Sequence, residues 1–161
     1  MPPKTTENQS KVALAFVGSA QHVMDYPDRN GWMSITDYSR LLSVIETQGA
    51  KANSTILYTL VRTSTGYRLK NKDGGYLKAP SSNDSTHDWT NTEGDAADLV
   101  IEACPEVTLM QGCTYGNAVN IKTTVNSTVY YFSANKPAKW RTNANDYQKA
   151  IYMFNWVGNN H

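Results

Sequence analysis

Ile56-Leu-Tyr-Thr-Leu-Val61 is followed by the polar turn Thr63-Ser-Thr-Gly66 and by Tyr67-Arg-Leu-Lys-Asn71. Asp73-Gly-Gly75 separates this run from Tyr76-Leu-Lys-Ala79, and a long polar loop carrying Trp89 leads to Leu99-Val-Ile-Glu102. Each run is short, apolar and bounded by Gly, Asp, Asn or Ser. Asp73-Gly74-Gly75 between two alternating runs is a hairpin signal, because only residues that tolerate positive φ fit the tight turns that match strand twist. The stretch Ile56–Ala103 reads as a four-stranded unit. The fold then turns on whether this unit occurs once or several times.

The layout recurs. Downstream come Val107-Thr-Leu-Met110, Asn117-Ala-Val-Asn-Ile121, Val129-Tyr-Tyr-Phe-Ser133 (after Asn126-Ser127) and Ile151-Tyr-Met-Phe154, with Trp140 in the last loop. Upstream come Val12-Ala-Leu-Ala-Phe-Val17, His22-Val-Met-Asp-Tyr26, Trp32-Met-Ser-Ile35 and Leu41-Leu-Ser-Val-Ile45, with a turn at Asp28-Arg-Asn-Gly31. Trp32, Trp89 and Trp140 precede Asp37, Asp95 and Asp146, each of which stands before the last apolar run of its copy. A period of roughly 50 residues is the signature of a repeat architecture. The copies are expected at about 11–54, 55–105 and 106–157, behind a disordered segment 1–10. Leu41, Leu42 and Ile45 also have helical spacing, and Thr36 or Asp37 could cap a helix there. Recurrence of the same register in copies rich in β-branched residues favours a strand.

The chain of 161 residues is long enough to bury a core as one domain. Its formal net charge of +1 argues for neither nucleic acid nor an anionic membrane as partner. No apolar run reaches the roughly 18–20 residues of a membrane span. Val12–Ala20 faintly resembles a leader core, but Glu7 stands where a basic region belongs. Cys104 and Cys113 fall too far apart in the strand reading for a disulfide, and free thiols suit a reducing compartment. The expectation is a cytoplasmic protein, or a secreted one if a leader has been removed. The sequons at Asn8, Asn53, Asn83 and Asn126 matter only in the secreted case.

About twelve short strands in three pseudo-repeats imply an all-β structure that closes to protect its edges. This pattern resembles the β-trefoil family over residues 11–157, which implies a six-stranded barrel capped by three hairpins. Ricin-type trefoils carry Gln-x-Trp near each repeat end, and no such triplet occurs here; ricin-type sugar-binding residues are therefore not carried over. The middle unit looks more like the divergent trefoils of fungal agglutinins and fungal protease inhibitors.

Catalysis finds no motif. The histidines His22, His87 and His161 lie in no His-Glu-x-x-His, and neither a Cys-x-x-Cys, a Gly-x-Ser-x-Gly nor a P-loop occurs. No metal or cofactor is expected. Sugar recognition needs an aromatic face for the apolar side of a pyranose and short polar side chains for its hydroxyls. The first copy offers Asp25, Tyr26, Asp28, Asn30 and Trp32, and the second Asp73, Tyr76, Asn83, Asp84, His87 and Trp89. The third offers Tyr131, Asn135, Trp140, Asn143 and Asp146. Trp89, in a long polar loop, is the expected binding tryptophan; Trp140 stands among Lys136, Lys139 and Arg141, in a basic rim or under a cation–π contact. A Trp in every copy equally suits a structural wedge, and the recurrent Asp residues equally suit turns that satisfy backbone N–H groups.

The expected function is a non-catalytic carbohydrate-binding protein, a lectin with up to three weak sites, whose partners are glycans or glycoproteins. A homodimer is compatible with this. The alternatives are a trefoil-type protease inhibitor, acting through the loop Ser81–Asp88 or Lys136–Asn145, and a protein–protein interaction module.

Overall fold

Alternating apolar residues become strands where one face has a core to meet. The computed structural model describes residues 9–16, 22–27, 38–104, 118–133 and 139–156, and over these the chain is mostly antiparallel β-sheet. The strands are β1 (Gln9–Phe16), β2 (His22–Val23), β3 (Tyr58–Arg62), β4 (Tyr67–Lys70), β5 (Tyr76–Leu77) and β6 (Trp89–Thr90). They continue with β7 (Val100–Ala103), β8 (Ala118–Val125), β9 (Thr128–Ser133), β10 (Lys139–Arg141) and β11 (Ile151–Asn155). The helices are α1 (Tyr38–Gly49) and the single turn α2 (Asp146–Lys149), with a 3-10 turn at Glu93–Asp95. The main path of the sheet is open and runs β10-β9-β8-β11-β1-β3-β4-β5-β6, with β2 beside β1 and β7 beside β8. Isolated antiparallel bridges join Tyr67 to Leu99, Lys78 to Ala96 and Thr86 to Lys139. Among the described residues no helix is long and apolar enough to cross a membrane.

Strand β1 lies at the centre of this arrangement and buries both faces, as its unbroken apolar run requires. Val12 and Leu14 enter one core with Tyr58, Leu69, Leu77, Leu99, Phe132, Trp140 and Ile151. Ala13 and Ala15 point the other way, into a second core with Leu41, Ile45, Ala118, Tyr152 and Phe154. Strand β11 divides in the same manner, with Ile151 in the first core and Tyr152 in the second.

The second core corrects one expectation. Leu41–Ile45 is part of helix α1, not a strand. Leu41, Ile45 and Gly49 are buried and Val44 and Gln48 half-buried, while Leu42, Ser43, Glu46 and Thr47 are exposed. That is a period of about 3.6 residues. A strand would have turned Ser43 inward beside Leu41 and Ile45. The first strand also starts at Gln9, inside the segment 1–10 expected to be disordered. The expected runs Trp32–Ile35 and Val107–Met110, together with Asp37 and Cys113, lie outside the described residues.

The turns follow their local chemistry. Thr63 N–H donates to Gly66 O at 2.8 Å and closes the β3–β4 hairpin. Asn126 and Ser127 both take positive φ, 50° and 70°, between the paired residues Val125 and Thr128, as a two-residue primed turn demands. Gly74 takes φ 89° in the β4–β5 turn.

Candidate functional site

The β4–β5 turn is built around a side chain. Asn71, only 5% exposed, accepts at Oδ1 from the backbone N–H of Asp73 (2.8 Å) and of Gly75 (3.1 Å). Its own backbone N–H donates to Gly75 O at 2.9 Å, and Gly74 N–H returns a bond to Asn71 O at 3.0 Å. This Asx turn holds one wall of a cleft of about 320 Å³, lined by Tyr26, Asn71, Asp73, Gly75, Trp89, Thr90 and Asn91. Strand β5 places Trp89 opposite Leu77 across the β5–β6 pairing, and Tyr26 reaches the cleft from beyond β2.

The aromatic wall is made of rings in contact. Trp89 stacks on Tyr58 with ring centroids 5.7 Å apart and planes 7° off parallel. Tyr26 meets Trp89 edge-on at 5.5 Å and 85°. Trp89 is therefore half-buried against the first core, not a ring held clear of the core by its polar loop. Tyr58 beneath it is 1% exposed, and burial first, then the Asp25 charge, push its hydroxyl well above the ordinary tyrosine range. The backbone N–H of Tyr26 acts in the opposite direction, but it already donates to Thr55 O at 2.9 Å. Asp73, exposed at the rim, sits 3.1 Å from Lys72 Nζ.

The structure brings three expected residues, Tyr26, Asp73 and Trp89, into one cleft, although they come from two different expected copies. Asp25 lies half-buried behind them. Asn71, Thr90 and Asn91 line the cleft without having been singled out; their signal was the Asn before an Asp-Gly-Gly turn and the polar pair directly after Trp89.

Other expected contacts prove to be interior. Trp140 is 0% exposed on β10, with its ring edge-on to Phe132 at 5.6 Å. It belongs to the first core and is not a rim residue under a cation. His87 is also 0% exposed and stacks on Phe132 at 3.9 Å. Strand β10 and the loop before β6 pair with each other over them: Asp84 N–H donates to Trp140 O and Trp140 N–H to Ser85 O, each at 2.8 Å. The cation–π contact falls instead on Tyr131, whose ring lies 4.6 Å from Lys149 Nζ. Tyr76 is covered by Lys70 at 5.4 Å and does not line the cleft. Asn83 accepts at Oδ1 from Thr142 N (2.9 Å) and Thr142 Oγ1 (3.2 Å), so it ties two loops together. Asn143 is exposed, away from the cleft lining. Asp95 is exposed in the 3-10 turn, and the helix cap near Asp146 is Asn145, which accepts from Gln148 N. Asp28, Asn30, Trp32 and Asn135 lie outside the described residues.

Cys104 carries a free thiol, raised above its ordinary value by partial burial and then by Asp146. Among the described residues no three His, Cys, Asp or Glu side chains gather as metal ligands would. Comparison of the chain with protein-family models, curated proteins and solved structures finds no match.

Proposed function

We propose that the chain is a β-trefoil whose Tyr26–Trp89 cleft binds carbohydrate without chemical conversion. The trefoil reading is supported by a ring of pairings. Strand β1 pairs with β3, β3 with β4, β4 with Leu99 just before β7, β7 with β8, β8 with β11, and β11 with β1. Six antiparallel segments in that cycle match a trefoil barrel. On this reading β3, rather than Leu41–Ile45, closes the first unit, and the unit boundary moves to the Thr63–Gly66 turn.

The observation that carries the binding function is the cleft itself. An aromatic corner faces the short polar side chains of Asn71, Asp73, Thr90 and Asn91 in a space of about 320 Å³. That is the small end of ligand pockets and the right character for a sugar ring. With Trp140 in the core, the reading assigns one site to the described residues, so multivalent action rests on a second copy of the chain. The test is a glycan array of wild type beside Asn91→Ala and Asp73→Asn, two exposed lining positions whose loss leaves the core intact. Wild-type signal that both folded variants lose supports the reading; a blank array for folded wild type sinks it.

A second reading has its own observation. The loop Ser81–Asp88, one of the two candidate inhibitory loops, is braced rather than loose. Ser85 Oγ donates to Ser82 O at 2.6 Å, the loop backbone pairs with Trp140, and Asn83 grips Thr142. An exposed loop pre-organised in this way suits a protease inhibitor. Inhibition of a protease panel, lost on shortening residues 81–84, would support that reading; rapid cleavage there without inhibition would end it.

A further inference from the structure

Behind the cleft, Trp89 Nε1, Tyr58 Oη and Asp25 Oδ1 are each buried and have no hydrogen-bond partner among the described residues. Two of the three lie on stacked rings. Tyr58 stacks on Trp89, Tyr26 meets the same indole edge-on, and Asp25 precedes Tyr26 and acts electrostatically on the Tyr58 hydroxyl. Folded proteins leave few buried polar groups unpaired, because each forfeits its hydration. A concentration of such atoms around one cleft-lining indole is what a ligand-completed site looks like.

We propose that the cleft selects an uncharged sugar, one of whose hydroxyls is drawn inward to Asp25, Tyr58 and Trp89. The inference rests on the carbohydrate reading and deepens it by naming the ligand class. Its basis is the inventory of donors and acceptors. Trp89 Nε1 can only donate, the Asp25 carboxylate can only accept, and Tyr58 Oη can do either. A sugar hydroxyl gives its proton to Asp25 and accepts from Trp89 or Tyr58, so one group answers both needs. An ammonium group only donates and leaves the indole N–H unpaired. A carboxylate or sulfate only accepts, leaves Asp25 unpaired and sets two like charges together. Among the described residues the cleft lining adds no Lys, Arg or His to offset an acidic ligand, and Lys72 already sits against Asp73. Burial keeps Tyr58 protonated and so able to donate.

Calorimetric titration of the full chain tests this with three sets of probes. Methyl α-galactoside, methyl α-mannoside and N-acetylglucosamine are neutral; galacturonic acid and N-acetylneuraminic acid are acidic; galactosamine is cationic. The expected result is that a neutral sugar binds at least about tenfold tighter than the charged ones. Tyr58→Phe keeps the ring stacked on Trp89 and keeps the melting temperature, yet weakens that sugar about fivefold or more. Asp25→Asn narrows the gap between the neutral sugar and galacturonic acid. Tighter binding of an acidic or cationic sugar overturns the inference while leaving the carbohydrate reading in place. So does a Tyr58→Phe variant that binds as wild type does, since its hydroxyl is then satisfied by something other than ligand. Failure of folded wild type to bind any probe overturns both.

Discussion

Replacing Asn71 by Ala should unfold the cleft wall more than its small size suggests. In the native turn one side-chain oxygen accepts from two backbone N–H groups, Asp73 at 2.8 Å and Gly75 at 3.1 Å. The Gly75 bond is buried and the Asp73 bond partly so. Truncation leaves both donors without that acceptor. A buried unsatisfied donor costs about 1–3 kcal/mol, and a partly hydrated one about 0.5–1.5 kcal/mol. The sum, roughly 2–4 kcal/mol, is a large share of the 5–15 kcal/mol that holds a typical domain together. For a chain of this length the melting temperature should fall by roughly 10 °C. The urea midpoint should fall with the slope unchanged, because the same surface is exposed on unfolding. Asn71→Asp is the control: its carboxylate keeps an acceptor at the same place, so it should lose clearly less than Ala. Equal losses in the two variants, or a loss below about 0.5 kcal/mol for Ala, would refute the claim that the side chain organises the turn.

Three other perturbations probe separate parts of the structure. At Gly66 a Cβ would run into the carbonyl oxygen of Leu99, the acceptor of the Tyr67 N–H; Gly66→Ala should cost about 1–3 kcal/mol and speed hydrogen exchange at Tyr67 and Leu99, and an unchanged exchange pattern would contradict that bridge. Trp140→Ala should cost about 3–5 kcal/mol as a cavity in the core, measured by chemical denaturation; a variant as stable as wild type would return Trp140 to the surface. Tyr58 holds its proton more tightly in the folded chain than in the unfolded one, so its contribution to stability is full below pH of about 10 and declines as pH climbs from there toward the higher folded value. Tyr58→Phe should flatten that alkaline decline, and superimposable profiles for the two proteins would contradict the buried hydroxyl.

The legible features were those with a local cause. The turn at Asp73-Gly-Gly was read from residue types alone, and Gly74 indeed takes φ 89°. The alternation of Tyr58, Leu60 and Leu69 was likewise sufficient to place β3 and β4 with one face inward. Segment 38–49 was ambiguous because Leu41 and Ile45 satisfy either an i, i+4 face or an alternating one. The second core settled it: Ala13 and Ala15 on β1 offer a surface that a helix can cover. The lining of the candidate cleft was legible by half. Tyr26, Asp73 and Trp89 were chosen for their chemistry and do line the cleft, but Trp140 and His87 had the same chemistry and are interior.

The sequence by itself determined the all-β class, the hairpins and the short polar and aromatic composition of the loop before Trp89. These depend on which φ a residue tolerates and on which face of a strand it occupies, both properties of a few neighbouring residues. Only the tertiary structure decided that Trp89 lies at a cleft while Trp140 lies in a core, and that Tyr26 stands against Trp89. Burial depends on what the rest of the chain brings alongside, and the two tryptophans, each in a short strand, differ in that. The bonds between residues 84–85 and Trp140, made across the fold, hold the loop against Trp140, and no neighbouring residues in the sequence announce them.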